Sequence, residues 1–191
     1  MVLRGPSGSG KSTFLNCIAG ITRPTRGEIY LCGKRIDTLR EAEMDRERAS
    51  QIGYIFQNFN LLPGLTVLEN ILLPMMITGV ASKAKALEIL EMVGLGDHRE
   101  YVPGQLSVGQ KQRAAVARVL ANAPKLVLAD EPTASLDTDQ AYRVLHLIRE
   151  TCEREKAALL IVSHQESVAA QFERRIDFRD LNFKSGLSGV K

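Results

Sequence analysis

The chain has 191 residues, 45% of them hydrophobic and 25% charged, and its 25 Lys and Arg against 22 Asp and Glu give a formal charge of +3. That length can bury a sizeable core and fits one domain with an elaboration rather than two independent ones. The mild charge, with no dense basic stretch or aromatic platform, speaks against a nucleic-acid partner. Cys17, Cys32 and Cys152 have no metal-ligand spacing and are too few for a disulfide framework, so a reducing cytoplasm is expected.

In chain order, a short strand at Val2-Leu3 runs into Gly5-Pro6-Ser7-Gly8-Ser9-Gly10-Lys11-Ser12-Thr13, and because Met1 leads directly into this loop no signal peptide is expected. The glycines let consecutive N–H groups turn toward phosphate oxygens, and a helix from Lys11 to Ala19 adds its positive end. Lys11 is placed to bridge the β- and γ-phosphates of a nucleotide, and the Ser12 hydroxyl to hold Mg²⁺. Cys17, inside that helix, is read as a buried structural thiol.

A turn at Arg23 to Gly27 precedes a predicted strand, Glu28 to Cys32, and a helix of mixed charge between Arg40 and Arg48 leads to a strand over Ile52 to Phe56. Helices follow near Thr66 to Ile77 and Ser82 to Val93, then a loop from Gly94 to Gln105. Next comes a helix over Gly109 to Leu120, with Ser107 in capping range. This helical run, approximately 60–122, predicts a subdomain inserted into the nucleotide core. Leu61 to Val80 is the most apolar region, but Pro63, Gly64, Glu69, Asn70 and Pro74 interrupt it, whereas a spanning helix needs about twenty mostly apolar residues.

Leu126 to Ala129 reads as a buried parallel strand ending in two carboxylates, Asp130 and Glu131. Adjacent acids at such a strand end suit a site shared by Mg²⁺ and water, with Asp130 on the metal's water shell and Glu131 polarising the water that attacks a γ-phosphate. Ala141, Leu145, Ile148 and Cys152 recur at helical spacing after a cap near Asp137-Thr138, and Ala158 to Ser163 returns to the sheet. Strands alternating with helices predict a parallel α/β sheet with its ligands at the carboxyl edge.

Taken singly, Gln57 is a polar strand end and His164 a surface or helix-capping residue. Taken together, the motifs resemble the nucleotide-binding subunit of an ABC transporter across nearly the whole chain. They are the phosphate loop, Ile52-Gly53-Tyr54-Ile55-Phe56-Gln57, Leu106-Ser107-Val108-Gly109-Gln110, Leu126 to Pro132, Ser135-Leu136-Asp137 and Leu159 to His164. The resemblance implies a P-loop NTPase fold of ABC ATPase type, a single domain over 1–191, and a dimer, of like or paired ATPase subunits, with two ATP molecules sandwiched between its chains. It implies that Gln57 meets Mg²⁺ or the attacking water and that His164 reads the γ-phosphate. It further implies that Ser107, Gly109 and Gln110 reach the partner's ATP and that Asp137 lies in the loop crossing the interface. Val108 stands where the commonest signature has glycine.

The segments Gln57 to Pro63 and Leu65 to Met76 resemble the branch of lipoprotein-release, macrolide-export and cell-division ATPases. The chain is then expected at the cytoplasmic face of the inner membrane, held there by an integral permease, with Phe59 to Met76 as the contact and about half of those apolar residues serving only to pack helices. Two alternatives are a soluble ABC-type ATPase and a catalytically impaired, N-terminally truncated ATP-binding module. A small-molecule P-loop kinase has no need of the Ser107-Gly109 signature. Family members carry strands before the phosphate loop, with an aromatic residue that stacks on adenine, whereas four residues precede Gly5 here. Val2-Leu3 is read as too short for a central strand, and the expected consequences are weak ATP affinity, poor discrimination of adenine from guanine and low solubility.

Overall fold

Strands in which neighbouring residues are all apolar need cover on both faces. The computed structural model, which describes residues 1–183, provides that cover. Its elements are β1 (Val2–Arg4), α1 (Lys11–Ile18), β2 (Tyr30–Leu31), β3 (Lys34–Arg35), α2 (Glu41–Gln51), β4 (Ile52–Ile55), α3 (Val67–Ile77), α4 (Lys83–Met92), α5 (Val108–Leu120), β5 (Leu126–Asp130), α6 (Thr138–Arg154), β6 (Ala158–Val162), α7 (Glu166–Ala169), β7 (Arg175–Asp177) and α8 (Phe178–Phe183). Five strands form one parallel sheet in the order β4-β5-β6-β1-β7.

The two faces follow the period of two along each strand. Val2, Ile55, Val127, Ala129 and Ile161 join an apolar cluster with residues of α3, α4, α5 and α6. Leu3, Tyr54, Leu128, Leu160 and Val162 join a second cluster with Leu15 of α1 and Met44 of α2. The helices α3, α4 and α5 pack on one another, and α5 also lies against β4. That last approach needs Gly53, where a Cβ would come within 2.2 Å of Val119.

Three expectations are corrected. Val2–Arg4 does serve as an interior strand, because its three residues pair with β6 on one side and β7 on the other, a flanking strand the sequence reading missed. The stretch Glu28 to Cys32 is not one strand: Cys32 and Gly33 both take positive φ (49° and 81°), folding the segment into the two-residue hairpin of β2 and β3. Cys17 is only partly buried, since the inward face of α1 carries Lys11 and Leu15 and a residue two positions on from Leu15 points nearly the opposite way. Cys152 is the buried thiol, and burial pushes it up to about 11.

Candidate functional site

In a parallel sheet all carboxyl ends share one edge. There β1 opens into the phosphate loop, β4 leads to Gln57, β5 ends at Asp130 and β6 runs on to His164. Ser7, Gly8, Gly10, Lys11, Ser12, Thr13, Gln57, Asp130, Glu131 and His164 line one cleft of about 580 Å³ there. The loop reaches α1 through Gly10, whose φ of 97° lies in the left-handed region that glycine enters without a Cβ clash. Lys11 is buried, and its ammonium donates to the carbonyls of Gly5 at 2.9 Å and Pro6 at 2.7 Å. Gly5, Pro6 and Ser9 thus do not line the cleft but accept from the Lys11 ammonium, Ser9 through Oγ at 3.5 Å.

Asp130 is half-buried and lies beside the Ser12 side chain. Burial raises its carboxyl above the ordinary range and the Glu131 charge adds to this, while Ser12 and Lys11 oppose it. Glu131 is held from several sides. Its backbone N–H donates to the Val162 carbonyl at 2.9 Å. Its carboxylate accepts from Ser163 Oγ at 3.2 Å and from the His164 backbone N–H at 2.9 Å, with His164 Nδ1 at 2.6 Å. The Glu131 φ of 47° is left-handed, a conformation that costs about 1–3 kcal/mol for a residue with a side chain. Ser163, fully buried, is a contact of Glu131 that the sequence reading passed over as a strand end. Its position directly before His164 was the available signal.

Gln57 is exposed, and the chain beyond it turns through two left-handed non-glycine residues, Phe59 (φ 60°) and Asn60 (φ 50°). Arg118, in the last turn of α5, donates to both their carbonyls, the Phe59 contact being 2.8 Å. Burial lowers the pKa of that guanidinium. The far end of the signature helix is therefore fastened to the loop that carries Gln57.

The other end of α5 lies elsewhere. Ser107, Gly109 and Gln110 line a separate cleft of about 580 Å³ with Arg113, Gln140 and Arg143, and that cleft shares no residue with the first. Ser107 caps the helix: its Oγ accepts from the Gln110 N–H at 3.3 Å, while its own N–H donates to Gln110 Oε1 at 2.8 Å. Val108, the first helical residue, is 44% exposed. Asp137 caps α6 by accepting from the Gln140 N–H at 2.8 Å. Within one chain, then, the structure brings together the phosphate loop, Gln57, Asp130, Glu131 and His164, and leaves Ser107, Gly109, Gln110 and Asp137 apart from them.

The family model described as ABC transporter matches residues 1–134. An uncharacterised ABC transporter ATP-binding protein of Thermotoga maritima is 44% identical over 171 residues, covering 88% of this chain and 73% of that protein. The lipoprotein-releasing system ATP-binding protein LolD of Xanthomonas axonopodis pv. citri is 40% identical, covering 91% of this chain and 72% of its own. The macrolide export ATP-binding/permease protein MacB of Rhodopirellula baltica is 40% identical over 94% of this chain, which corresponds to 27% of that larger protein. Among solved structures, a dimeric ATP-binding cassette in a post-hydrolysis state, bound to ADP and Pi, matches with a TM-score of 0.85 at 39% identity, covering 92% of this chain and 79% of that one.

Proposed function

Since the chain belongs to the ABC transporter ATP-binding family, we propose that its phosphate-loop cleft and its separate signature edge are the two halves of an ATP site completed only between two chains. The protein is an ATP-binding and ATP-hydrolysing subunit that pairs with a second ATPase subunit and drives a membrane permease, with lipoprotein release or export as its task. Among the described residues no helix is long and apolar enough to cross a membrane. We place the chain peripherally on the cytoplasmic face, held by the permease. The observation that carries the composite site is the separation just described, since groups suited to one γ-phosphate occupy two clefts of the same chain.

In this reading the loop N–H groups and Lys11 hold the β- and γ-phosphates. The Ser12 hydroxyl, the Asp130 carboxylate and the Gln57 amide are hard oxygen donors around one cleft and fit Mg²⁺, which takes few protein ligands beside phosphate and water. Bound there, the cation neutralises negative charge on the transferring phosphate. Glu131 polarises the attacking water, and its hydrogen bonds to the backbone and side chains of residues 163 and 164 fix where its oxygens point. His164 meets Glu131 through Nδ1, which leaves Nε2 for the γ-phosphate. Donating to both anions at once requires a proton on each ring nitrogen. The helical run over approximately 60–122 forms the inserted subdomain that carries the signature to the partner.

The permease contact lies on the segment Phe59 to Met76. Val67, Leu68, Asn70, Ile71 and Met75 are buried in the packing of α3 and are excluded from it, while Leu62 (43% exposed), Met76 (65%) and the adjoining Ile77 (60%) are presented outward. Of these, Ile77 lines a groove of about 500 Å³ together with Asn60, Pro74, Tyr54, Phe56 and Arg118, of a size and apolarity that suit a short helix of the membrane subunit.

Mixing Lys11→Ala chains with Ser107→Arg chains tests the composite site. Each homodimer lacks both working sites, and the heterodimer retains one. Partial ATPase recovery on mixing is expected, and normal turnover by either homodimer alone overturns the arrangement.

A further inference from the structure

Ser107 sits at the outer end of a chain of hydrogen bonds that begins on a different element. Its N–H is donor only, so the oxygen of Gln110 must face it, at 2.8 Å. That orientation turns the Gln110 amide NH₂ toward His98 Nε2, 2.9 Å away. His98 Nε2 must then accept, and the ring is neutral with its proton on Nδ1. The consequence is visible in the burial: Nδ1 is enclosed and has no hydrogen-bond partner among the described residues. A buried unsatisfied donor is unfavourable by about 1–3 kcal/mol, which calls for an explanation other than stability.

The turn that carries His98 is itself anchored. His98 ends the 3₁₀ turn Gly96–His98, and its ring meets the Tyr101 ring edge-on with centroids 5.1 Å apart. The carbonyls of Arg99 and Tyr101 accept from the N–H groups of Leu68 at 3.0 Å and Val67 at 2.8 Å, two of the otherwise unpaired donors at the start of α3. One four-residue stretch, His98 to Tyr101, thus grips the starts of both α3 and α5.

We infer that His98 is a positioning residue for the ATPase reaction: by accepting from Gln110 Nε2 it locks the Gln110 amide and, through it, the backbone and hydroxyl of Ser107 that meet the ATP held by the partner chain. The inference rests on the composite-site reading above. His98 touches neither nucleotide nor reacting atoms. Its effect is on assembly, since a Ser107 free to leave its capping geometry contributes less to the interface.

The test uses the full chain carrying Glu131→Gln, in which ATP-bound dimers accumulate. His98→Leu removes the acceptor and is expected to weaken Mg²⁺-ATP-driven dimerisation about tenfold, the order of one hydrogen bond at each of two sites. ATP binding to the phosphate loop of the single chain should be unchanged, and the melting temperature no lower than that of the parent, because the unpartnered Nδ1–H goes too. His98→Gln, whose side-chain oxygen can accept from Gln110, is expected to restore dimerisation to within about twofold. With only three histidines in the chain, ¹⁵N spectra of labelled protein should identify His98 as the Nδ1-protonated tautomer. Dimerisation of His98→Leu at the parent's strength, failure of His98→Gln to rescue, or an Nε2-protonated His98 overturns the assignment. Ser107→Arg in the same background separates the two levels. If it abolishes dimerisation while His98→Leu does not, only the positioning role falls, and if it dimerises normally the composite site falls and takes this inference with it.

Discussion

The phosphate-loop cleft and the start of α5 are the two regions proposed to meet phosphate, yet one is closed on itself and the other faces outward. In the cleft, Lys11 is buried among the carbonyls of its own loop, and Glu131 is tied to Val162, Ser163 and His164. At the start of α5, Ser107 and Gln110 satisfy each other across one helical turn, and Val108 beside them is 44% exposed. The difference teaches that, in the composite-site reading proposed above, nucleotide capture and nucleotide sensing are separable: the first needs one chain, and the second the outward surface of another.

The sharpest way to break that comparison is at Glu131. Glu131→Gln keeps the shape of the side chain but loses the carboxylate, so turnover should fall by about 10²–10⁴-fold while ATP binding and dimerisation persist. Sizing in Mg²⁺-ATP checks this, and wild-type turnover by the variant would sink the assignment.

A middle-sized effect should separate both half-sites from the permease face. Charged replacements at Leu62, Met76 and Ile77 are expected to weaken co-purification with the membrane subunit by about tenfold or more, with ATP affinity and ATP-driven dimerisation unchanged. Retention of the membrane subunit across all three positions places the contact elsewhere.

The smallest effect concerns the tension inside the cleft. The folded-state pKa of Asp130 is raised, so the stability contributed by its proton is present below the unfolded-state value and lost as pH rises through the folded-state one. Asp130→Asn, permanently neutral, should therefore melt slightly higher than wild type in Mg²⁺-free buffer at neutral pH, by about 1–3 °C because water screens a half-buried carboxylate. The gain should vanish in acid, and Mg²⁺-dependent ATPase activity should be lost. A lower melting temperature at neutral pH than wild type contradicts the burial argument.

Much of the fold was legible because its signals are local. The apolar run at Leu126 to Ala129, the Ser107 cap and the helical period through Leu145, Ile148 and Cys152 each declare an element within a dozen residues. β7 was not legible, since Arg175-Ile176-Asp177 holds one apolar residue between charges and gains its strand character only by pairing with β1. The hairpin at Cys32-Gly33 was hidden because Cys32 takes a left-handed φ that its residue type gives no reason to expect. Which residues line the phosphate-loop cleft was largely readable, but their partnerships were not. Glu131 and His164 are 33 positions apart and meet because β5 and β6 are neighbours. The bond from His98 to Gln110 depends on a turn that the sequence shows only as loop.

The left-handed φ at Glu131 has a consequence for the history of such a chain. Glycine enters that conformation freely, and asparagine and aspartate enter it more readily than most residues. With Glu131 as the base proposed above, its exchange for one of these relieves backbone strain at the moment hydrolysis is lost. On the backbone contribution alone, drift toward an inactive descendant therefore runs downhill, opposed by loss of the carboxylate's hydrogen bonds to Ser163 and His164. A lineage released from selection for turnover would keep a sound fold while shedding its chemistry, and only continued demand for the reaction holds the glutamate in place.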